Sequence, residues 1–255
     1  MKTIGINIDE VLRSSLDKFD IQYRKVFIHN PSIVAMNEAD MTVKEFTEEE
    51  ILEIDNKIAD KEAELINLPI DSYNLLNHYK FESKKIEMTA ESFLIHDGHV
   101  YDSAPQEDIE LTPSQCLEKF MYEDYALQIF AQSEEITNAL EFASKIQSIG
   151  SENKSFKVVL LSTCKKKAIP ATYSFLALKG CKIKGLIFVE EDYQKWEHCD
   201  ILIDVMPESF QTKPDGKISI KINKDFNKWD SADYSFEHIK EVYEKDFLKS
   251  ITENN

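Results

Sequence analysis

Short apolar runs rich in Ile, Val and Leu recur along the chain, and they decide what it can fold into. They lie at Thr3–Ile8, Lys157–Leu161, Lys184–Val189, Asp200–Asp204 and Lys217–Ile222. Continuous apolarity, without the in–out alternation of a half-solvated strand, predicts strands buried on both faces, as in a parallel sheet covered by helices. Helical stretches fall between the runs, at Ser133–Gly150 and at Pro170–Gly180, the second with Pro at its start and Gly at its stop. Strand–helix–strand alternation with right-handed crossovers gives a Rossmann-like, doubly wound α/β sheet. In such a sheet functional groups belong at the carboxyl ends of the strands.

The segment from residue 29 to residue 129 breaks this rhythm. Thr47-Glu48-Glu49-Glu50 reads as a capping box, and Ile51, Ile54, Ile58 and Leu65 follow at helical spacing, which predicts an acidic amphipathic helix. Ser92–His96 and His99–Tyr101 flank Asp97-Gly98, the favoured turn of a two-residue hairpin. The expected organisation is an α/β core of residues 1–28 and 130–255, with 29–129 inserted as a mixed α+β cap.

Charge and cysteine usage narrow the classes of function. A net charge of −17 disfavours docking onto nucleic-acid phosphates or anionic lipid and favours a basic partner surface. Cys116, Cys164, Cys181 and Cys199 form no CxxC pair, and no secretory apolar segment opens the chain. These features predict reduced thiols in the cytoplasm. No apolar run approaches the roughly 20 residues that span a bilayer.

Several strand ends carry polar groups: Asn7 and Asp9 on the first, Ser162 and Thr163 on the second, and Asp204 on the fourth, with Lys195 shortly before it. Carboxylates, hydroxyls and an ammonium converging on one rim are the outline of a pocket for Mg²⁺ and a phosphoryl group. Plainer readings exist for each. The two Asp also read as turn caps, Ser162-Thr163 as an N-cap for the next helix, and Lys165-Lys166-Lys167 as a solvated loop. His96 and His99 read as surface residues rather than a metal pair, and Phe120, Tyr122, Tyr125, Phe130, Trp196 and Trp229 as core aromatics rather than a stacking platform.

The motifs IGINIDEVLR, VVLLST, CDILIDVMPE and PDGKISIKINKDFN, in that order, resemble the haloacid-dehalogenase superfamily, and most closely its 5′-nucleotidase-like branch, which includes phage-encoded members. YEDYALQIFAQSEE, residues 122 to 135, is similar to the segment that re-enters the core in the phage-encoded members. The resemblance implies a nucleophile at position 7, an acid–base residue at Asp9, phosphate contacts from Ser162 and Thr163, a charge-balancing Lys195 and an Mg²⁺ ligand at Asp204. Two positions depart from the pattern. Asn7 stands where the nucleophilic carboxylate belongs, and Val205 follows Asp204 where a second acid belongs. An amide nitrogen does not form an acyl-phosphate, and a neutral amide oxygen is a poorer ligand for a hard cation.

The expectation is a degenerate site on a binding or structural protein, phage-encoded, acting through protein partners as a virion component or as a regulator in the infected cell. Two alternatives stay open: an Mg²⁺-dependent 5′-nucleotidase-like phosphohydrolase using Asp9 and Asp204, and a sensor that binds a nucleotide or phosphate without turnover.

Overall fold

The computed structural model describes residues 1–28, 74–86, 95–96, 99–100, 109–153, 155–244 and 247–248. Six parallel strands form the central sheet: β1 (Lys2–Asn7), β8 (Phe156–Ser162), β9 (Leu186–Phe188), β10 (Ile201–Asp204), β11 (Ile218–Ile222) and β12 (Tyr234–Phe236), ordered β12-β11-β10-β1-β8-β9. The order reverses at β1, which pairs with β8 on one side (Ile4↔Val158) and with β10 on the other (Ile4↔Ile201). This is the doubly wound α/β architecture expected from the apolar runs.

Helices α3 (Ala139–Asn153), α4 (Ala168–Leu178) and α6 (Ile239–Glu244) cover one face. Ala139, Leu140, Ala143 and Ile146 of α3 recur at helical spacing and bury against Ile4, Ile6, Leu160, Ile201, Ile203 and Ile220. The other face carries Val159, Leu161 and Leu202, packed against Trp196 and Cys199. Gly5 lies there, and a Cβ on it would stand 2.6 Å from Leu161 Cδ1 and 2.9 Å from Cys199 Sγ, so only glycine admits this approach.

Three details differ from the sequence expectation. The helix expected from Ser133 begins at Ala139, because Glu134–Glu135 (β7) instead pairs antiparallel with Arg13–Ser14 (β2). It also runs past Gly150 to Asn153. The sixth strand, β12, follows the last apolar run and is too short and polar to declare itself.

Helix α1 (Ser15–Tyr23) leaves the core toward the inserted segment. Its Leu16, Phe19 and Tyr23 form a second cluster with Leu75, Tyr79, Phe120, Ile129 and Phe130. The β4 (Ile95–His96) and β5 (His99–Val100) pair has the register His96↔His99, as a two-residue hairpin requires. The turn itself, and the helix expected after Thr47, lie outside the described residues. So does any further test of a cap spanning 29–129.

Candidate functional site

The chain turns sharply after β1. Leu12 and Arg13 both donate their N–H to the Ile8 carbonyl (2.9 and 3.2 Å), and Glu10 N–H donates to the Arg13 carbonyl at 2.8 Å. Glu10 sits in the left-handed region, φ 61°, a conformation that costs roughly 1–2 kcal/mol for a side chain of this kind. Its carboxylate accepts from Leu16 N–H (2.8 Å) and Ser15 Oγ (3.0 Å), fixing the start of α1. The loop therefore returns Arg13 onto Asp9 and delivers the chain to the β2–β7 pair.

Arg13 is wholly buried. Its Nε donates to Asp9 Oδ1 at 2.8 Å, Nη1 to the Phe130 carbonyl at 3.2 Å, and Nη2 to Thr172 Oγ1 at 3.0 Å and Cys164 Sγ at 3.2 Å. The guanidinium lies 4.8 Å from the Phe130 ring centroid and 5.4 Å from that of Phe175. The other Asp9 oxygen accepts from Ser162 Oγ at 3.0 Å. Burial pushes the Asp9 carboxyl up, but the charge and hydrogen bond of Arg13, with help from Ser162, outweigh it and hold the group below its ordinary 3.8. Burial raises the Cys164 thiol to about 12, so it is no thiolate at neutral pH.

A second buried cluster lies one strand away. Lys195, on the helical turn Asp192–Glu197, places Nζ 2.8 Å from Asp204 Oδ2 and 2.5 Å from Asp192 Oδ1. Ser209 Oγ also donates to Asp204 Oδ2 (2.7 Å), while Asp204 Oδ1 accepts from Val205 and Met206 N–H (2.7 and 3.1 Å). Burial disfavours the Lys195 ammonium, yet the two carboxylates outweigh it and hold it protonated above its ordinary 10.5. Asn227, also buried, donates to the Val205 and Ile222 carbonyls (2.8 and 3.0 Å), so the KINKDFN motif works as a clamp across β10 and β11.

The structure thus brings Asn7, Asp9, Ser162, Lys195 and Asp204 to adjacent strand ends, all buried, with Thr163 half-buried beside them. Ser162 does not cap α4, whose N-cap is Lys167. Val205 points into the principal apolar cluster. Arg13 and Asp192 escaped the sequence reading. Their signals were the four-residue spacing from Asp9 and the three-residue spacing to Lys195. Of the aromatics, Trp196 is buried and donates to the Ser209 carbonyl (2.7 Å), whereas Trp229 is 87% exposed.

Magnesium is the cation this arrangement calls to mind, and it demands near-octahedral oxygen coordination. The residues do not fit it. Each carboxylate oxygen of Asp9 and Asp204 already accepts a hydrogen bond from within the protein. Asn7 Nδ2 donates to the Asp9 carbonyl (2.9 Å), and Asn7 Oδ1 is buried without a hydrogen-bond partner. Among the described residues no group of three or more His, Cys, Asp or Glu is placed to hold a metal.

Buried acids give the site a pH signature. Burial raises Glu10 above its ordinary 4.5 and Asp192 above 3.8. A raised acid adds stability as pH falls through its folded value, whereas the lowered Asp9 loses its contribution only below 3.8. Urea midpoints should therefore climb on mild acidification from pH 7 and fall below about pH 4. Glu10→Gln keeps the acceptor for Leu16 and Ser15 and should climb less than the wild type. Parallel profiles for the two proteins would contradict this assignment.

No family profile matches the chain, and no curated protein does. Among solved structures, it is similar to the HAD-hydrolase YfnB of Bacillus subtilis in a magnesium-bound form (10% identity, TM-score 0.47, 95% of this chain and 96% of that one). It is also similar to the haloacid dehalogenase-like protein SP0104 of Streptococcus pneumoniae (10%, 0.40, 95% and 96%) and to a haloacid dehalogenase-like hydrolase of Xanthomonas campestris (10%, 0.43, 98% and 90%). With its parallel sheet reversing at β1 and its motif residues at the carboxyl ends of β1, β8 and β10, this chain has a doubly wound, Rossmann-like α/β fold.

Proposed function

We propose that the protein is a non-catalytic descendant of phosphoryl-transfer enzymes of this fold, acting as a binding or structural protein. The observation that carries this reading is the buried Asp9–Arg13 ion pair. A general acid must hold and release a proton near the working pH. Asp9 is kept ionised, with both oxygens engaged, and the neighbouring Asn7 offers no nucleophile. A cavity of about 850 Å³ lined by Tyr23, Phe27, Phe81, Phe120 and Tyr125 lies elsewhere, and none of Asn7, Asp9, Ser162, Thr163, Lys195 and Asp204 lines it. The acidic surface suits a basic protein partner, and the resemblance to phage-encoded members makes a virion component or a regulator in the infected cell the form of that role.

The test is phosphate release from a panel of nucleoside monophosphates with Mg²⁺. The wild type is expected to stay at background. Turnover that Asp9→Ala abolishes would establish an enzyme and overturn the reading. Asn7→Asp combined with Val205→Asp is expected to remain silent as well, because Asp9 stays paired with Arg13. It should also unfold in less urea than the wild type, since the new carboxylate at 205 enters the apolar cluster and that at 7 faces the Asp9 carbonyl. Co-purification with phage particles tests the virion role.

A further inference from the structure

We infer that Arg13 is an internal counter-cation, whose guanidinium serves the Asp9 carboxylate as a divalent metal ion would, so that this site neither needs nor binds Mg²⁺. The geometry is that of a built site. The side chain is wholly buried, held by Asp9, Phe130, Cys164 and Thr172, and flanked by the rings of Phe130 and Phe175. Its planar fork is fixed by groups from four parts of the chain, which a mobile lysine could not satisfy together.

The Asp9 charge closes without a metal. Asp9 is answered by Arg13, and Asp204 and Asp192 share Lys195. Asn7 contributes none. A divalent ion entering beside Asp9 would meet a fixed positive charge and would have to strip the Ser162 hydrogen bond. Among the described buried side chains, the uncommitted oxygen it would gain beside Asp9 is Asn7 Oδ1. That is far from the six oxygens Mg²⁺ requires.

This inference rests on the same ion pair as the non-catalytic reading, yet the two fail separately. A wild type that binds Mg²⁺ without turnover sinks only the inference. A wild type that hydrolyses phosphate esters without metal sinks only the function.

The experiment is a Mn²⁺ titration of the full chain followed by electron paramagnetic resonance, with thermal unfolding in EDTA and in millimolar MgCl₂. The wild type should leave the free Mn²⁺ signal undiminished and shift its Tm by less than about 2 °C. Arg13→Ala vacates the space beside Asp9 and should bind Mn²⁺ and gain several degrees from MgCl₂. Mn²⁺ bound by the wild type but not by the neutral pair Asp9→Asn with Arg13→Met overturns the inference. Binding equal in both belongs to the acidic surface and upholds it. A folded Arg13→Ala that ignores both ions overturns it too. Should Arg13→Ala not fold, Arg13→Met is compared with the neutral pair. Recovery of Tm in the pair supports an uncompensated Asp9 charge as the cause, and equal melting of the two refutes it.

Discussion

Replacing Arg13 by Met is expected to lower the stability of the folded chain by about 3–5 kcal/mol, the usual consequence of leaving a buried charge without its partner. In a chain of this size that is a fall in Tm of roughly 6–20 °C. Met fills much of the volume between Phe130 and Phe175 but donates nothing, so buried Asp9 keeps only the Ser162 hydroxyl and the weaker Cys164 thiol as side-chain donors, and no cation. The Phe130 carbonyl and Thr172 hydroxyl lose a donor as well. Adding Asp9→Asn should recover most of the loss, because the remaining cost is then a packing defect rather than a buried charge. Urea unfolding of the wild type, both single variants and the double closes a cycle. A coupling below about 0.5 kcal/mol would show that the pair is held by its surroundings and contributes little itself.

Lys195→Met should have an effect of the same order, about 3–5 kcal/mol. It leaves two acids, Asp204 and Asp192, facing one another at the end of β10, where one ammonium had served both. Exposed pairs provide the contrast. Lys213–Asp233 and Lys145–Glu141 are solvated on the surface, and Lys145→Met or Lys213→Met should change stability by no more than about 1 kcal/mol. The sign of the pH dependence is also fixed. Lys195 is a cation whose folded pKa is raised above 10.5, so its contribution is complete below that value and is lost only as pH rises through the higher folded one. The wild type should thus keep this contribution from pH 6 to pH 9, whereas Lys195→Met, with Asp192 and Asp204 left facing each other, should regain part of the loss on acidification as one of the two takes up a proton. If Lys195→Met unfolds at the same urea concentration as the surface variants, the cluster is not structural.

What the residues alone could reveal follows from how local each feature is. Five of the six core strands were legible because burial on both faces demands unbroken Ile, Val and Leu, and Asn7, Asp9, Ser162 and Asp204 were legible because strand ends gather functional groups in such sheets. Arg13 was not. Its return to Asp9 depends on Glu10 adopting the left-handed region, which a glycine would have announced and a glutamate conceals. The saturation of Asp204 was equally hidden, since two of its partners are the backbone N–H groups of Val205 and Met206, present at any sequence. The polar pattern therefore reads as an open ligand site in one dimension and as a closed lattice of hydrogen bonds in three.

The central place of β1 also sets the timetable of folding during synthesis. Its two neighbours contain Val158 and Ile201, paired with Ile4 across most of the chain's length. A ribosome adding about 5–20 residues per second needs on the order of 10–40 s after making β1 to supply β10. Throughout that interval an apolar strand has one edge or both without a partner, and such edges recruit other chains. Its yield in the cell should depend on translation speed and on chaperones that shield nascent chains more steeply than its final stability implies.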